Sequence, residues 1–156
     1  MSSKINYKSG FTLIELLVVI AIIGLLSAMV LIGLNISRNK GIDAAVKSQL
    51  RQVISQSELF AQNNSNGYAG FCTSSTTKLI LAGAANATGA ATSSSTGQAS
   101  TYNKVVCHDS NSAWALDAPL SSASSAGIAN WCVDSIGEAK DESGTGILAS
   151  TYVCGN

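Results

Sequence analysis

The sequence predicts an α+β chain: a long N-terminal helix, membrane-spanning in its first half and amphipathic in its second, packed on a small antiparallel β-sheet head with disulfides. Three observations predict it. Residues 11–34, FTLIELLVVIAIIGLLSAMVLIGL, are apolar throughout apart from Thr12, Glu15 and Ser27. Beyond them Ile42, Val46, Leu50, Val53, Ser57 and Phe60 return at steps of three and four, the period of a helix with one apolar face. The four cysteines then lie beyond residue 70, among abundant Ser, Thr, Gly, Ala and Asn, short side chains that favour turns and tight strands over large helices.

Residues 1–10, MSSKINYKSG, are short and polar and carry Lys4 and Lys8. The 24 apolar residues that follow would reach roughly 36 Å as a helix, enough to cross a hydrocarbon core of about 30 Å with some tilt. A secretory signal has a shorter apolar core and a small-residue cleavage site after it, whereas this run ends in Asn35, Ser37, Arg38, Asn39 and Lys40. Lysines before the run and basic residues after it leave orientation undecided by charge. The cysteines orient the head outward, because disulfides need an oxidising compartment.

Glu15 is the anomaly of the run. An ionised carboxylate costs about 2.5–3.5 kcal/mol near the centre of a membrane helix and less toward an interface, so ionisable residues there lean functional. Either the glutamate is protonated or snorkels at the surface, or it pairs with a cation supplied by another chain.

These residues, Gly10-Phe11-Thr12-Leu13-Ile14-Glu15-Leu16-Leu17-Val18-Val19-Ile20-Ala21-Ile22-Ile23-Gly24, resemble the N-terminal signature of type IV pilins and type II secretion pseudopilins. The resemblance covers about the first 30 residues and implies a pilin fold. It implies that a prepilin peptidase in the membrane removes residues 1–10 as a leader, cutting after Gly10 and methylating the new N-terminus at Phe11. It also implies that Glu15 neutralises the N-terminal ammonium of a neighbouring subunit. Opposite charges attract far more strongly in a low dielectric than in water, and such a pair would set the axial stagger between subunits. Ala21, Gly24 and Ala28 lie at steps of three and four and allow close helix approach. Many pilins carry a proline further along this helix; here there is none, and Gly24 and Gly33 stand instead.

The amphipathic helix spans 35–62, with Gly41 a weak point before its stripe and Asn63, Asn64, Asn66 and Gly67 as its stop. The head, 63–156, offers strands at Thr77–Leu81, Thr101–Cys107, Ala113–Pro119, Asn130–Ser135 and Ile147–Cys154, three or four of them pairing antiparallel. Residues 82–100, without charge and with nothing bulkier than Gln98, read as a flexible surface loop.

Cys72, Cys107, Cys132 and Cys154 are separated by 34, 24 and 21 residues. That spacing argues against structural zinc, whose ligands come in close pairs, and for two disulfides, with three connectivities open. Pilins close a C-terminal disulfide loop, so the resemblance implies Cys132 with Cys154 and Cys72 with Cys107.

Nothing in the charge suggests an electrostatic grip on nucleic acid, since 9 basic residues face 9 acidic ones. The neck is basic, with Arg38, Lys40, Lys47 and Arg51 against Asp43 and Glu58, and beyond residue 62 three lysines face six acids. Trp114, Trp131, Tyr102 and Tyr152 could stack single-stranded DNA, but each sits in an expected strand, where aromatic residues pack a core. His108 beside Cys107 and Asp109 suggests a nucleophile pair only in outline, with no nucleophile-elbow motif, so no enzyme and no catalytic residue is expected. Asp134, Glu138, Asp141 and Glu142 fall within nine residues. Their spacing matches no EF-hand and favours a solvated acidic turn; the resemblance to major pseudopilins makes calcium the one cofactor to test there.

The expected function is thus structural. The chain is read as the precursor of a homo-oligomeric helical filament, a type IV pilus-like fimbrium, handled by a prepilin peptidase and a pilus or type II secretion assembly platform. It stands in the cytoplasmic membrane before assembly and outside the cell or in the periplasm after it. The alternatives are a pseudopilin of a type II secretion system and a membrane-anchored extracellular binding or enzymatic domain that never polymerises.

Overall fold

The computed structural model describes residues 10–93, 103–122, 129–143, 147 and 151–155, and the chain forms two compact units, Met1–Ser37 and Arg38–Asn156. One helix, α1, runs Leu13–Asn63 over 51 residues. In the first unit every described residue is exposed. A helix that is apolar all round has no core of its own to bury and needs apolar surroundings. The helix does not break at Gly41. One glycine costs only about 1 kcal/mol relative to alanine in a helix, and a Cβ added there would meet nothing within 4 Å, so no neighbour forces a bend.

In the second unit α1 buries Asp43, Val46, Leu50, Val53 and Ser57, the stripe expected from the sequence with Asp43 added to it. Asp43 reaches the segment after the third strand: its Oδ1 accepts the Ser121 N–H at 2.6 Å and its Oδ2 the Ser122 N–H at 3.1 Å. Charge-assisted bonds of this kind stabilise by about 1.5–3 kcal/mol each. The helix ends where Asn63 and Asn64 donate side-chain amides to the carbonyls of Leu59 and Phe60, at 2.8 and 2.7 Å. Gly67, at φ 60°, then turns the chain so tightly past Asn111 that a Cβ would collide with the Asn111 carbonyl oxygen.

The stretch expected as a strand at Thr77–Leu81 is a helix. α2 spans Ser75–Thr88 and also takes up the start of the loop expected at 82–100. Ser74 caps its N-terminus by accepting the Thr77 N–H, and Gly89, in the left-handed region at φ 73°, closes its C-terminus. Thr77, Leu81, Ala84 and Ala85 are its buried stripe. Alanine is the best helix former, but its small side chain carries little periodic signal, which is why Thr77 and Ile80 suggest a strand. Ala91–Ser93 then forms β1, and residues 94–100 of the expected loop lie outside the described residues.

β2 (Lys104–Asp109), β3 (Trp114–Pro119), β4 (Ala129–Asp134) and β5 (Ala139–Ser143) complete a five-stranded sheet in the order β1-β2-β3-β4-β5. The sheet is mixed: β1 pairs parallel to β2, and the remaining pairs are antiparallel. β5 is an edge strand of AKDES, polar enough to read as a turn, and charge on an edge is the usual guard against further pairing. The expected strand at Ile147–Cys154 is absent among the described residues. There the tail's backbone bonds to side chains, with the Cys154 N–H donated to Asp134 Oδ2 at 2.9 Å and the Thr151 carbonyl 2.9 Å from His108 Nδ1.

Strand alternation gives the sheet two buried faces. One carries Val105, Cys107, Trp114, Leu116, Trp131 and Val133 against α1 and α2. The other carries Val106, Ala115 and Cys132 under Ile147 and Cys154. Each face has its disulfide: Cys72–Cys107 on the helical side and Cys132–Cys154 on the far side.

Candidate processing and assembly site

Thr12 stands immediately before the first helical residue, Leu13, and Glu15 lies in the first turn. Glu15 Oε2 accepts the Thr12 hydroxyl at 2.6 Å and the Thr12 N–H at 2.9 Å, while the Glu15 N–H is donated to Thr12 Oγ1 at 3.3 Å. This reciprocal arrangement is a capping box, which satisfies amide groups left orphaned at a helix start. The T-x-x-E spacing carries that signal in the sequence, but the apolar run around Glu15 draws attention to its charge instead. The first turn also favours a carboxylate, since the positive end of the helix dipole lies there. Oε1 takes no partner among the described residues.

Gly10 and Phe11 precede the helix in an exposed, non-helical stretch, and Phe11 is 76% exposed. The peptide bond between them is therefore open to approach. Downstream, a Cβ added at Gly24 or Gly33 meets nothing within 4 Å, so no contact within the chain requires a glycine at either position. The run from Leu13 is long and apolar enough to cross a membrane.

Residues 5–31 match the family model of the prokaryotic N-terminal methylation motif. The chain carries a prepilin-type signature. That signature implies processing by a prepilin peptidase and membrane-associated assembly, and with the apolar helix it fits an inner-membrane-anchored precursor. The match ends before the second unit begins. The comparisons with curated proteins and with solved structures gave no match. The long apolar helix, small mixed sheet and two disulfides make the architecture α+β and pilin-like.

The other candidate residues are dispersed by the fold. Asp134 is buried and acts as a backbone cap, its Oδ1 accepting the N–H groups of Ile136 and Glu138 at 3.1 and 3.0 Å and its Oδ2 that of Cys154. Asp141 pairs with Lys47 on α1 at 2.6 Å, and Glu138 with Lys140 at 3.6 Å. Adjacent on β5, Asp141 and Glu142 point to opposite faces of the sheet. No three of the four acids have a carboxylate oxygen within 4.8 Å of one another among the described residues. His108 is buried on the far face, whereas Cys107 is disulfide-bonded on the helical face, so the two do not meet as a nucleophile and base.

Among the described residues, Trp114, Trp131 and Tyr152 do not form an exposed stacking surface. Trp114 is fully buried, and Trp131, 5% exposed, lies under the Lys47 ammonium at 4.3 Å and the Arg51 guanidinium at 5.0 Å. Tyr152 is half-buried against His108, with ring centroids 6.4 Å apart, and Tyr102 lies outside the described residues.

Glu142 is 8% exposed, and its Oε1 has no hydrogen-bond partner among the described residues. Burial raises its carboxyl above the usual glutamate range, opposed by the Gly155 amide and the Lys140 ammonium and reinforced by the Asp134 and Glu138 carboxylates. The folded chain therefore holds this proton more tightly than the unfolded chain. Stability from this group is lost as pH rises from about 4.3, the unfolded value, through the raised folded one. Urea denaturation of the full chain in detergent should give Glu142→Gln and the native protein similar midpoints at pH 4, and Glu142→Gln the higher midpoint at pH 8. A native protein more stable than Glu142→Gln at pH 8 would contradict the raised value.

Proposed function

We propose that the chain is the structural subunit of a type IV pilus-like surface filament, cut after Gly10, N-methylated at Phe11 and polymerised through its N-terminal helix. The observation that carries this reading is an entirely exposed apolar helix with one carboxylate, Glu15, held in its first turn and one carboxylate oxygen left open. Cleavage would create an ammonium at Phe11, and in a low dielectric that cation and a neighbour's Glu15 attract far more strongly than in water. Packing helix against helix would cover the apolar surface, while the disulfide-bonded heads remain outside. Adhesion, motility, DNA uptake and secretion are all compatible with such a subunit.

Mass spectrometry of the N-terminal peptide from sheared surface material tests the proposal. The expected peptide begins with N-methylated Phe11. The same peptide found only in membranes and never in sheared filaments would favour a short periplasmic pseudopilus of a secretion system. A mature protein that retains Met1 would support a membrane-anchored domain that does not polymerise and would overturn the filament reading.

A further inference from the structure

On the far face of the sheet, the Cys132 and Cys154 sulfurs and a carboxylate oxygen of Glu142 all lie within 4.8 Å of one another. With both sulfurs in the disulfide, no thiolate is available to a metal there. The carboxylate has another use. The β4–β5 register pairs Asn130 with Glu142 and Cys132 with Lys140, so Cys132 and Glu142 are diagonal neighbours on one face, within reach of a long side chain. The β4–β5 hairpin, with nine residues between them, places Glu142 beside Cys132 independently of the tail that carries Cys154.

We propose that Glu142 is the general base that closes the Cys132–Cys154 disulfide when the exported head is oxidised. The oxidant is a disulfide, RSSR, carried by a thiol oxidase or a small molecule. The Cys154 thiol gives its proton to water and the thiolate attacks RSSR, forming a Cys154–SR mixed disulfide and releasing RS⁻, which takes up a proton from water. Glu142 then removes the proton from Cys132 Sγ, directly or through one water. The resulting thiolate attacks Cys154 Sγ, the Cys132–Cys154 bond forms, and the Cys154–SR bond breaks. The second RS⁻ leaves and takes up the proton held by Glu142. Two thiols are oxidised, one RSSR is reduced to two RSH, and the carboxylate is regenerated.

Three features of the site fit this role. Only the thiolate attacks a disulfide, and an ordinary cysteine is mostly protonated near neutral pH, so a base beside it accelerates closure. A base works best with a pKa near the operating pH, and burial moves Glu142 in that direction. The unfilled Oε1 leaves acceptor capacity for the thiol proton. The groups that set its charge are Lys140 on its own strand, Asp134 on β4, Glu138 in the turn and the Gly155 amide of the tail. Cys72–Cys107 provides the contrast: Asp109 accepts the Cys72 N–H at 3.0 Å, but among the described residues its carboxylate does not gather with the two sulfurs within 4.8 Å.

The test uses the full chain in detergent, reduced, then exposed between pH 6 and 8 to oxidised glutathione at saturating concentration, so that resolution of the glutathione mixed disulfide and not its formation limits closure. Acid quenching, alkylation and mass spectrometry follow each bridge separately. Closure of Cys72–Cys107 should rise about tenfold per pH unit with its thiolate fraction, whereas Cys132–Cys154 should change less than about threefold across the range. Glu142→Gln should slow Cys132–Cys154 closure at pH 6 by about tenfold or more, give it the steep profile, and leave Cys72–Cys107 unchanged. Equal steepness at both bridges in the native chain overturns the proposal, and that comparison needs no variant to fold. An unchanged Cys132–Cys154 rate in Glu142→Gln overturns it as well.

Discussion

Glu15→Gln is expected to be cleaved normally at Gly10 and to lose filament assembly by a hundredfold or more. The substitution separates two roles that Glu15→Ala confounds. A glutamine retains a carbonyl oxygen that can accept the Thr12 hydroxyl and N–H, as Glu15 Oε2 does at 2.6 and 2.9 Å, so the capping box survives and only the charge is lost. A cap is worth about 1 kcal/mol, whereas a unit ion pair at 4 Å in an effective dielectric of 20 is worth about 4 kcal/mol. Since each 1.4 kcal/mol is about tenfold in an equilibrium, loss of the pair should dominate in a polymer that repeats it at every subunit. Thr12→Ala supplies the contrast, weakening the cap while keeping the carboxylate, and should reduce assembly only severalfold. Yields are measured by immunoblot of sheared filaments against membrane-bound, processed subunit. Normal filaments from Glu15→Gln, with a severe defect in Thr12→Ala, would show that the residue matters as a helix cap and not as a charge.

Trp114→Ala should destabilise the head by about 3–5 kcal/mol, the range for deleting a large buried aromatic side chain. Trp114 is fully buried on β3 and faces the helices. Its ring lies 5.3 Å from Phe71, and Phe71 in turn lies edge-on to Phe60 of α1 at 5.4 Å. The three rings join strand, short connecting turn and helix, so truncating the middle of the sheet leaves a cavity that backbone on either side cannot readily fill. The indole Nε1 is buried without a hydrogen-bond partner among the described residues, which makes Trp114→Phe much milder, because the smaller ring also removes an unsatisfied donor. The two variants leave Trp131 as the sole tryptophan, and its fluorescence during urea denaturation of the full chain in detergent measures both. A loss below about 1 kcal/mol for Trp114→Ala would mean that this aromatic junction does not hold the head together.

Several features of the fold were legible because they are local. The apolar run, the stripe from Val46 to Ser57 and the strands at Trp114–Pro119 and Ala129–Asp134 follow from periodicity within a few turns or residues. α2 was obscured because alanines bury little surface and its β-branched residues suggest a strand. β5 was obscured because an edge strand can be polar when only part of it is covered, and Ala139 and Asp141 contact the helical side while Lys140 and Glu142 lie opposite. At the candidate site the residues Gly10, Phe11 and Glu15 stand out in the sequence, yet the use of Glu15 as a cap partner became visible only in the contacts of Thr12.

By itself the sequence determined the prepilin-type signature, the apolar helix and a cysteine-bearing head, all of which depend on neighbours in the chain. Spacing left three cysteine connectivities open, with the resemblance favouring the one observed; tertiary structure decided among them, set Asp141 and Glu142 on opposite faces of the sheet, and left the described residues of the tail on the far face without adding a strand. The physical reason is that these outcomes depend on register and on contacts between distant segments, where a shift of one residue exchanges the two faces. Composition and periodicity carry no record of that choice.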